Sequence, residues 1–174
     1  MYWFKLKKVY LFLLSLEFNL PKKDKIFLVT SDKSKFFEKL INKKFRILDR
    51  KKFNFYILIL LLIKKKSFSK ILYLDYLEIY LKFVKAKIFI STIDNNLNYW
   101  SIKKRIPNLK VILIQNGWRY KRGDIFDHKN LISGKDFKLD YFFTFNSSVS
   151  KLFSKYIKAN FIEIGSYKNN QNTI

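Results

Sequence analysis

Six short, predominantly apolar runs recur along the chain, and this recurrence restricts the fold more than any other feature. The runs lie at Ile26–Val29, Phe45–Leu48, Ile88–Ile90, Val111–Ile114, Tyr141–Phe145 and Phe161–Ile164. Runs without polar alternation are typical of strands that are covered on both faces. Helical segments separate several of them, and strands that alternate with helices form parallel sheets through right-handed crossovers. The sequence therefore predicts an α/β fold: a Rossmann-like parallel sheet with helices on both faces.

Three helices are predicted between or after these strands, at Lys70–Ala86, Asn98–Ile106 and Ser147–Lys158. Pro107 ends the second helix, and Asn146 or Ser147 caps the third. The first helix carries a single polar stripe on an otherwise apolar surface, formed by Asp75, Glu78, Lys82 and Lys85. Within that stripe Glu78 and Lys82 form a favourable pair one helical turn apart.

We expect three regions along the chain: a basic amphipathic helix over residues 1–23, the Rossmann-like domain over 24–165, and a linker or frayed tail over 166–174. Three lysines precede the apolar run Val9–Leu14, as in a signal peptide, but no small-residue cleavage site follows. A second apolar run, Phe55–Ile63, is flanked by lysines, and both runs are too short to span a bilayer. Each run is either a buried helix or a basic, aromatic face on the inner leaflet. We expect a cytoplasmic protein that can lie against the inner membrane.

The chain carries a formal charge of +23, but only five of its 36 basic residues are arginine. Lys, Asn, Ile, Phe and Tyr, whose codons are A/T-rich, dominate the 174 residues, which indicates an A/T-rich genome. Readers of nucleic acid favour arginine because its planar fork pairs with phosphates and guanine edges. Nucleic acid is therefore not the expected partner. The absence of cysteine excludes disulfides, thiolate metal sites and a cysteine nucleophile, and the single histidine excludes any mechanism that needs two imidazoles.

Small polar side chains follow five of the predicted strands, and in a parallel sheet these strand exits share one edge, where ligands bind. The exits hold Thr30, Ser31 and Asp32 after the first strand, Thr92, Asp94 and Asn95 after the third, and Gln115, Asn116 and Gly117 after the fourth. Asn146 follows the fifth strand and Ser166 the sixth. Such residues bind hydroxyls or phosphates, or they serve as helix caps and turn formers.

The polar segment Trp118–Leu139 is too long for an ordinary connection, so it is either a functional or a mobile loop. Its Asp124, Asp127 and His128 could ligate a divalent ion, but a solvated charged loop is the simpler interpretation, and we predict no metal site. All four glycines lie at position 117 or later, so no nucleotide-cradling GxGxxG or Walker loop exists near the N-terminus. We predict no resident cofactor.

The stretches VILIQNGWR at 111–119, DYFFTFN at 140–146 and IGSYKNN at 164–170 resemble bacterial surface-carbohydrate biosynthesis proteins, and ISTIDN at 90–95 fits the same pattern. These are GT-B-type glycosyltransferases, distantly similar to the CDP-glycerol glycerophosphotransferases. The resemblance implies the N-terminal, acceptor-side half of a GT-B-like architecture. It also implies that Gln115, Asn116, Gly117 and Arg119 lie at the interdomain cleft.

The resemblance further implies a nucleotide-activated sugar or polyol as donor, bound mainly by a second domain that this chain lacks. The acceptor would be a saccharide or a lipid phosphate. Related transferases often carry His at the position of Asn116, and an amide cannot act as a base near neutral pH. Asp94 is the remaining candidate catalytic carboxylate, although a helix cap or turn aspartate fits the same pattern.

The sequence thus favours the front half of a cytoplasmic glycosyltransferase-like enzyme of surface polysaccharide synthesis, such as lipopolysaccharide or capsule, that is incomplete as this chain. The substrate-binding candidates are Thr92, Asn95, Gln115, Asn116, Gly117, Arg119, Asn146 and Ser166. Two alternatives stay open. A protein that binds nucleic acid or an anionic membrane surface would show binding that falls steeply with salt. An inactive, truncated remnant would lack the second domain altogether.

Overall fold

The computed structural model describes residues 10–23, 25–29, 45–48, 52–65, 72–119, 125–127, 131, 137–166 and 169. Its strands are β1 (Leu16–Glu17), β2 (Ile26–Val29), β3 (Arg46–Ile47), β4 (Phe53–Asn54), β5 (Ile88–Ser91), β6 (Lys110–Ile114), β7 (Phe137–Thr144) and β8 (Ile157–Glu163). Its helices are α1 (Phe55–Lys65), α2 (Tyr73–Phe83), α3 (Leu97–Arg105) and α4 (Ser147–Phe153), with a 3₁₀ turn at Ile125–Asp127. Residues 10–14 are also helical.

Six of these strands form one sheet in the order β3-β2-β5-β6-β7-β8, and every neighbouring pair is parallel. The α/β, Rossmann-like fold predicted from the sequence is confirmed. The chain runs outward from β2 to β3 and then returns past β2 to β5. The strand order therefore reverses between β2 and β5, and this reversal is where open parallel sheets form a ligand crevice.

Strands β7 and β8 each begin four residues earlier than predicted, and two helices end earlier: α2 at Phe83 rather than Ala86, and α4 at Phe153 rather than Lys158. β7 begins at Phe137 rather than Tyr141, and its register with β8 shifts between Lys138 and Tyr141. β8 begins at Ile157, where the sequence predicted the end of the preceding helix. β8 is an edge strand in which buried or half-buried positions alternate with exposed ones along its first five residues. An apolar-run criterion misses the start of such a strand, because one of its faces meets solvent.

Helices α2, α3 and α4 pack on the same face of the sheet. Tyr99 of α3 contacts Phe89 of β5, with ring centroids 5.4 Å apart, and Phe153 of α4 contacts Phe142 of β7 at 4.5 Å. These four rings are fully buried and form the centre of the core. Most residues that point to the opposite face are only half-buried; they include Ile88, Ile90, Ile112, Ile114 and Phe143. The β2–β3 connection, residues 30–44, lies outside the described residues.

The polar stripe predicted along α2 is solvated only in part. Asp75 and Glu78 are buried against α3, where Arg105 Nη1 lies 3.9 Å from Asp75 Oδ1 and 3.4 Å from Glu78 Oε2. The expected Glu78–Lys82 pair is present at 2.7 Å. Lys85 lies beyond the helix, at a positive φ of 55°. A helix-wheel argument cannot find Arg105, because that cation belongs to another element.

The N-terminal segment lies beside the main sheet. Helical residues 10–14 are followed by β1, which pairs in parallel with β4. Helix α1, which contains the second apolar run, buries Ile57 and Leu61 and exposes Ile59 and Ile63. None of the helices in the described part of the chain is both long and apolar enough to cross a membrane.

Candidate functional site

Four strands of the sheet end at one edge, and polar side chains follow each of them. Thr92 and Asp94 follow β5, Gln115 follows β6, Asn146 follows β7 and Ser166 follows β8. Because all strand pairs are parallel, these exits share the carboxyl edge, next to the reversal of strand order at β2 and β5. The predicted exit of β2, Thr30-Ser31-Asp32, lies outside the described residues.

The centre of this edge is an ion pair between Asp94 and Arg119. Arg119 Nε donates to Asp94 Oδ2 at 2.7 Å, and Arg119 Nη2 donates to Asp94 Oδ1. Asn116 joins both partners: its backbone N–H donates to Asp94 Oδ1 at 3.4 Å, and its Oδ1 accepts from Arg119 Nη2 at 3.1 Å. The network therefore ties the exit of β5 to that of β6, and it joins Asp94, the candidate carboxylate, to Asn116 and Arg119, which the resemblance had placed together.

The Asp94 carboxylate is completely buried, and the Arg119 side chain is nine-tenths buried. Burial raises the pKa of the Asp94 carboxyl above its ordinary value, while the hydrogen bonds and charge of Arg119 act against that rise. Both carboxylate oxygens accept hydrogen bonds from the guanidinium. The arrangement neutralises the carboxylate internally, which suits an anchoring aspartate better than a general base.

Gln115 joins the exits of β6 and β7. Its Oε1 accepts from the Phe145 backbone N–H at 2.8 Å, and its Nε2 donates to the Gly117 carbonyl at 2.9 Å. The side chain is buried, and backbone groups satisfy both ends of its amide. Gln115 therefore holds the 115–117 turn in place, and this structural role accounts for the residue without a ligand.

Asn146 caps α4. Its Oδ1 accepts from the Val149 backbone N–H at 3.1 Å, the bond expected of an N-cap residue. Of the two caps considered from the sequence, the structure selects Asn146 over Ser147. The side chain stays half exposed at the carboxyl edge.

The remaining candidates differ in accessibility. Thr92 is fully buried, whereas Asn95 is exposed at the same strand exit. Gly117 and Ser166 are half-buried. Asn95, Asn116, Asn146 and Ser166 are therefore the predicted ligand-binding residues whose side chains solvent reaches.

Two tryptophans of this region were missed by reasoning from the sequence. Trp118 is 59% exposed and directly precedes Arg119, whose Nη1 donates to the Trp118 carbonyl at 3.0 Å. Trp100 of α3 is fully buried, and its Nε1 donates to the Asp94 carbonyl at 2.7 Å. Trp118 could have been found from the sequence, because a tryptophan is unusual among the polar residues that follow a strand. Trp100 could not, because no sequence pattern predicts that its indole N–H donates to the Asp94 carbonyl in the preceding turn.

The side chains of Asp124, Asp127 and His128, considered above as ligands of a divalent ion, lie outside the described residues. Among the side chains that are described, no group of three His, Asp or Glu residues could hold a metal ion.

Residues 112–174 match the model of a protein family described as "putative O-antigen biosynthesis protein". The matched segment begins within β6 and runs through β8, so it includes Asn116, Arg119, Asn146 and Ser166 but not Asp94. Neither the curated proteins nor the solved structures contain a significant match to this chain. The family match covers about a third of the chain, and it links the protein to surface carbohydrate biosynthesis.

Proposed function

We propose that this chain is the acceptor-side domain of a glycosyltransferase-like enzyme of bacterial surface polysaccharide biosynthesis. In the complete reaction, a sugar or polyol phosphate would pass from a nucleotide donor, held by a second domain, to an acceptor bound here. The observation that carries the proposal is the Asp94–Arg119–Asn116 network at the carboxyl edge. The O-antigen biosynthesis match over the β6–β8 part of this edge supports it.

The accessible groups at this edge suit a neutral, hydroxylated acceptor. Asn95, Asn116 and Asn146 carry amides, and Ser166 carries a hydroxyl; each group can both donate to and accept from sugar hydroxyls. The charge of Arg119 is already matched by Asp94, which leaves it poorly placed to compensate a phosphate. Between the two acceptor classes expected from the sequence, these side chains favour a saccharide over a lipid phosphate.

We assign Asp94 a positioning role in this proposal. Its carboxylate accepts hydrogen bonds from the Arg119 side chain and from the backbone N–H of Asn116. It therefore fixes the turn that presents the Asn116 side chain. Asn95, Asn116, Asn146 and Ser166 offer amides and a hydroxyl, neither of which is a base near neutral pH. We therefore attribute to this edge the binding and orientation of the acceptor rather than proton abstraction.

Saturation-transfer NMR with O-antigen oligosaccharides released from lipopolysaccharide tests the proposal on the chain alone, without a nucleotide donor. We expect saturation transfer to sugar protons with the native chain and a loss of most of that signal in Asn95→Ala and Asn116→Ala. Asn108→Ala is the matched control, because Asn108 is an exposed amide that precedes β6, at the opposite edge of the sheet. The proposal fails if Asn108→Ala loses as much signal as the other two variants, or if the native chain shows none.

A further inference from the structure

Large apolar side chains are exposed on two segments of the chain, residues 10–20 and helix α1. Leu14, Phe18 and Leu20 are each about 60% exposed, and Ile63 of α1 is 70% exposed. Single exposed apolar residues are ordinary, but a contiguous set marks an interaction surface.

Contacts of residues 10–20 with β4 and α1, which are consecutive in the chain, join these side chains into one surface. The rings of Phe18 and Phe55 lie 5.2 Å apart, and those of Phe12 and Phe53 lie 6.1 Å apart. The Phe53 backbone N–H donates to the Ser15 carbonyl at 2.8 Å, where β1 and β4 pair. We call the exposed apolar side chains of residues 10–20 and α1 the N-terminal apolar face.

Exposed lysines lie in or next to the same segments. Lys22 and Lys23 follow the first segment, and Lys52 and Lys64 flank β4 and α1. Glu17 is the one carboxylate within residues 10–23 and 52–65, and it is paired with Lys52 at 3.3 Å. An apolar centre with a cationic rim is complementary to a surface that offers acyl chains beneath negative head groups.

We infer that the N-terminal apolar face docks on an anionic lipid surface, with α1 lying in the plane of the interface. Helix α1 has 11 residues and would extend about 16 Å at 1.5 Å per residue, roughly half the thickness of a bilayer core. The lysines disfavour a second copy of the chain as the occupant, because pairing two such faces would bring like charges together. This inference does not rest on the proposed transferase function, since it uses none of the residues of the carboxyl edge.

The first test is sedimentation of the full chain with vesicles of phosphatidylcholine mixed with phosphatidylglycerol, and with vesicles of phosphatidylcholine alone. We expect binding to the anionic vesicles that weakens as salt rises, and a fall of roughly tenfold or more in partitioning for Ile63→Glu. Ile162→Glu is the control, because it places the same charge on an exposed isoleucine of β8, at the other end of the strand order from β3. Equal partitioning of the two variants would overturn the inference.

A second readout does not depend on a disruptive charge. Since the chain has no cysteine, Ile63→Cys and Ile162→Cys can each be labelled at one site with an environment-sensitive fluorophore. We expect a blue shift at position 63 when anionic vesicles are added, and none at position 162. A shift at position 63 that needs only a higher protein concentration would instead identify a second copy as the occupant. Absence of any shift at position 63 would also refute the inference.

Discussion

The Arg119 guanidinium donates to both carboxylate oxygens of Asp94, across 25 positions of the chain. One partner follows β5 and the other follows β6, so the pair closes the carboxyl edge of the sheet between two neighbouring strands. Both side chains are removed from solvent, and a buried charge left without its partner is costly.

Removing the cation alone should therefore destabilise the fold. We expect Arg119→Met to lower the free energy of unfolding by about 3–5 kcal/mol, because it leaves the Asp94 carboxylate buried and unpaired. Adding Asp94→Asn to that variant should restore part of the loss, since the second change removes the stranded charge. Urea denaturation of both single variants and the double variant gives the coupling energy, and strictly additive effects would show that the pair does not act as a unit.

The side-chain amide of Gln115 should protect the backbone N–H of Phe145 from hydrogen exchange. We expect Gln115→Leu to cost about 1–3 kcal/mol, because the Phe145 N–H and the Gly117 carbonyl both lose their side-chain partner. Hydrogen exchange should become faster at the Phe145 amide. The backbone N–H of residue 115 is the internal control, because it donates to the Phe143 carbonyl at 2.9 Å and this bond does not involve the replaced side chain. Unchanged exchange at Phe145 would remove the bridging role.

The cap at Asn146 should contribute about 1 kcal/mol to stability, the usual value for an N-cap side chain. Asn146→Ala loses the acceptor for the Val149 N–H, whereas Asn146→Asp keeps it. We therefore expect a lower melting temperature for the alanine variant and a smaller change for the aspartate. Ser148→Ala, at an exposed position in the first turn of α4, should have little effect. A similar loss in Ser148→Ala would argue against a specific cap.

The carboxyl of Asp140 should make stability depend on acid pH. Partial burial alone would raise its pKa, but Lys103 and the Val111 N–H hydrogen-bond to it and hold the pKa below its ordinary value. A depressed pKa contributes stability above the pKa of the unfolded chain, and that contribution is lost as pH falls through the folded value. Urea denaturation across this acid range should therefore show a shallower pH dependence in Asp140→Asn. If the free energy of unfolding depended on pH equally in the native chain and in Asp140→Asn, Asp140 would be excluded as a source of the acid sensitivity.

Two glycines of the carboxyl edge should respond differently to alanine. Gly165 has a φ of +69°, where a side chain costs roughly 1–2 kcal/mol whatever the space around it. At Gly117 a Cβ would meet Arg119 Nη1 at 3.6 Å, which is an ordinary contact. We expect a lower melting temperature for Gly165→Ala and a smaller effect for Gly117→Ala. The reverse order would contradict this account of the β8 exit.

The resemblance noted in the sequence and the family match agree on surface carbohydrate biosynthesis, and they overlap at residues 112–119, 140–146 and 164–170. The sequence motif at residues 90–95 lies outside that match. It is the structure that connects it, because Asp94 of that motif binds Arg119 of the matched segment.

Local pattern was sufficient for the parallel sheet. The central strands β2, β5 and β6 were predicted to within one residue. A strand with neighbours on both sides is mostly apolar, so it is visible in the sequence as a continuous apolar run. Only the second half of the edge strand β8 was predicted, at Phe161–Ile164, because its first residues alternate polar and apolar side chains and form no apolar run. The carboxyl-edge location of the polar exits also followed from the sequence, because parallel pairing dictates it.

The hydrogen-bond partners of the individual side chains were decided only by the tertiary structure. From the sequence, Asp94 is a candidate base and Arg119 a candidate ligand-binding cation; in the fold each is the other's partner, and Gln115 and Asn146 bind backbone groups. The recurrence of apolar runs is a local property of the sequence, and it determines the class of fold. A hydrogen-bond partner is not local, because Asp94 and Arg119 meet only after β5 and β6 pair and bring their two exits to one edge.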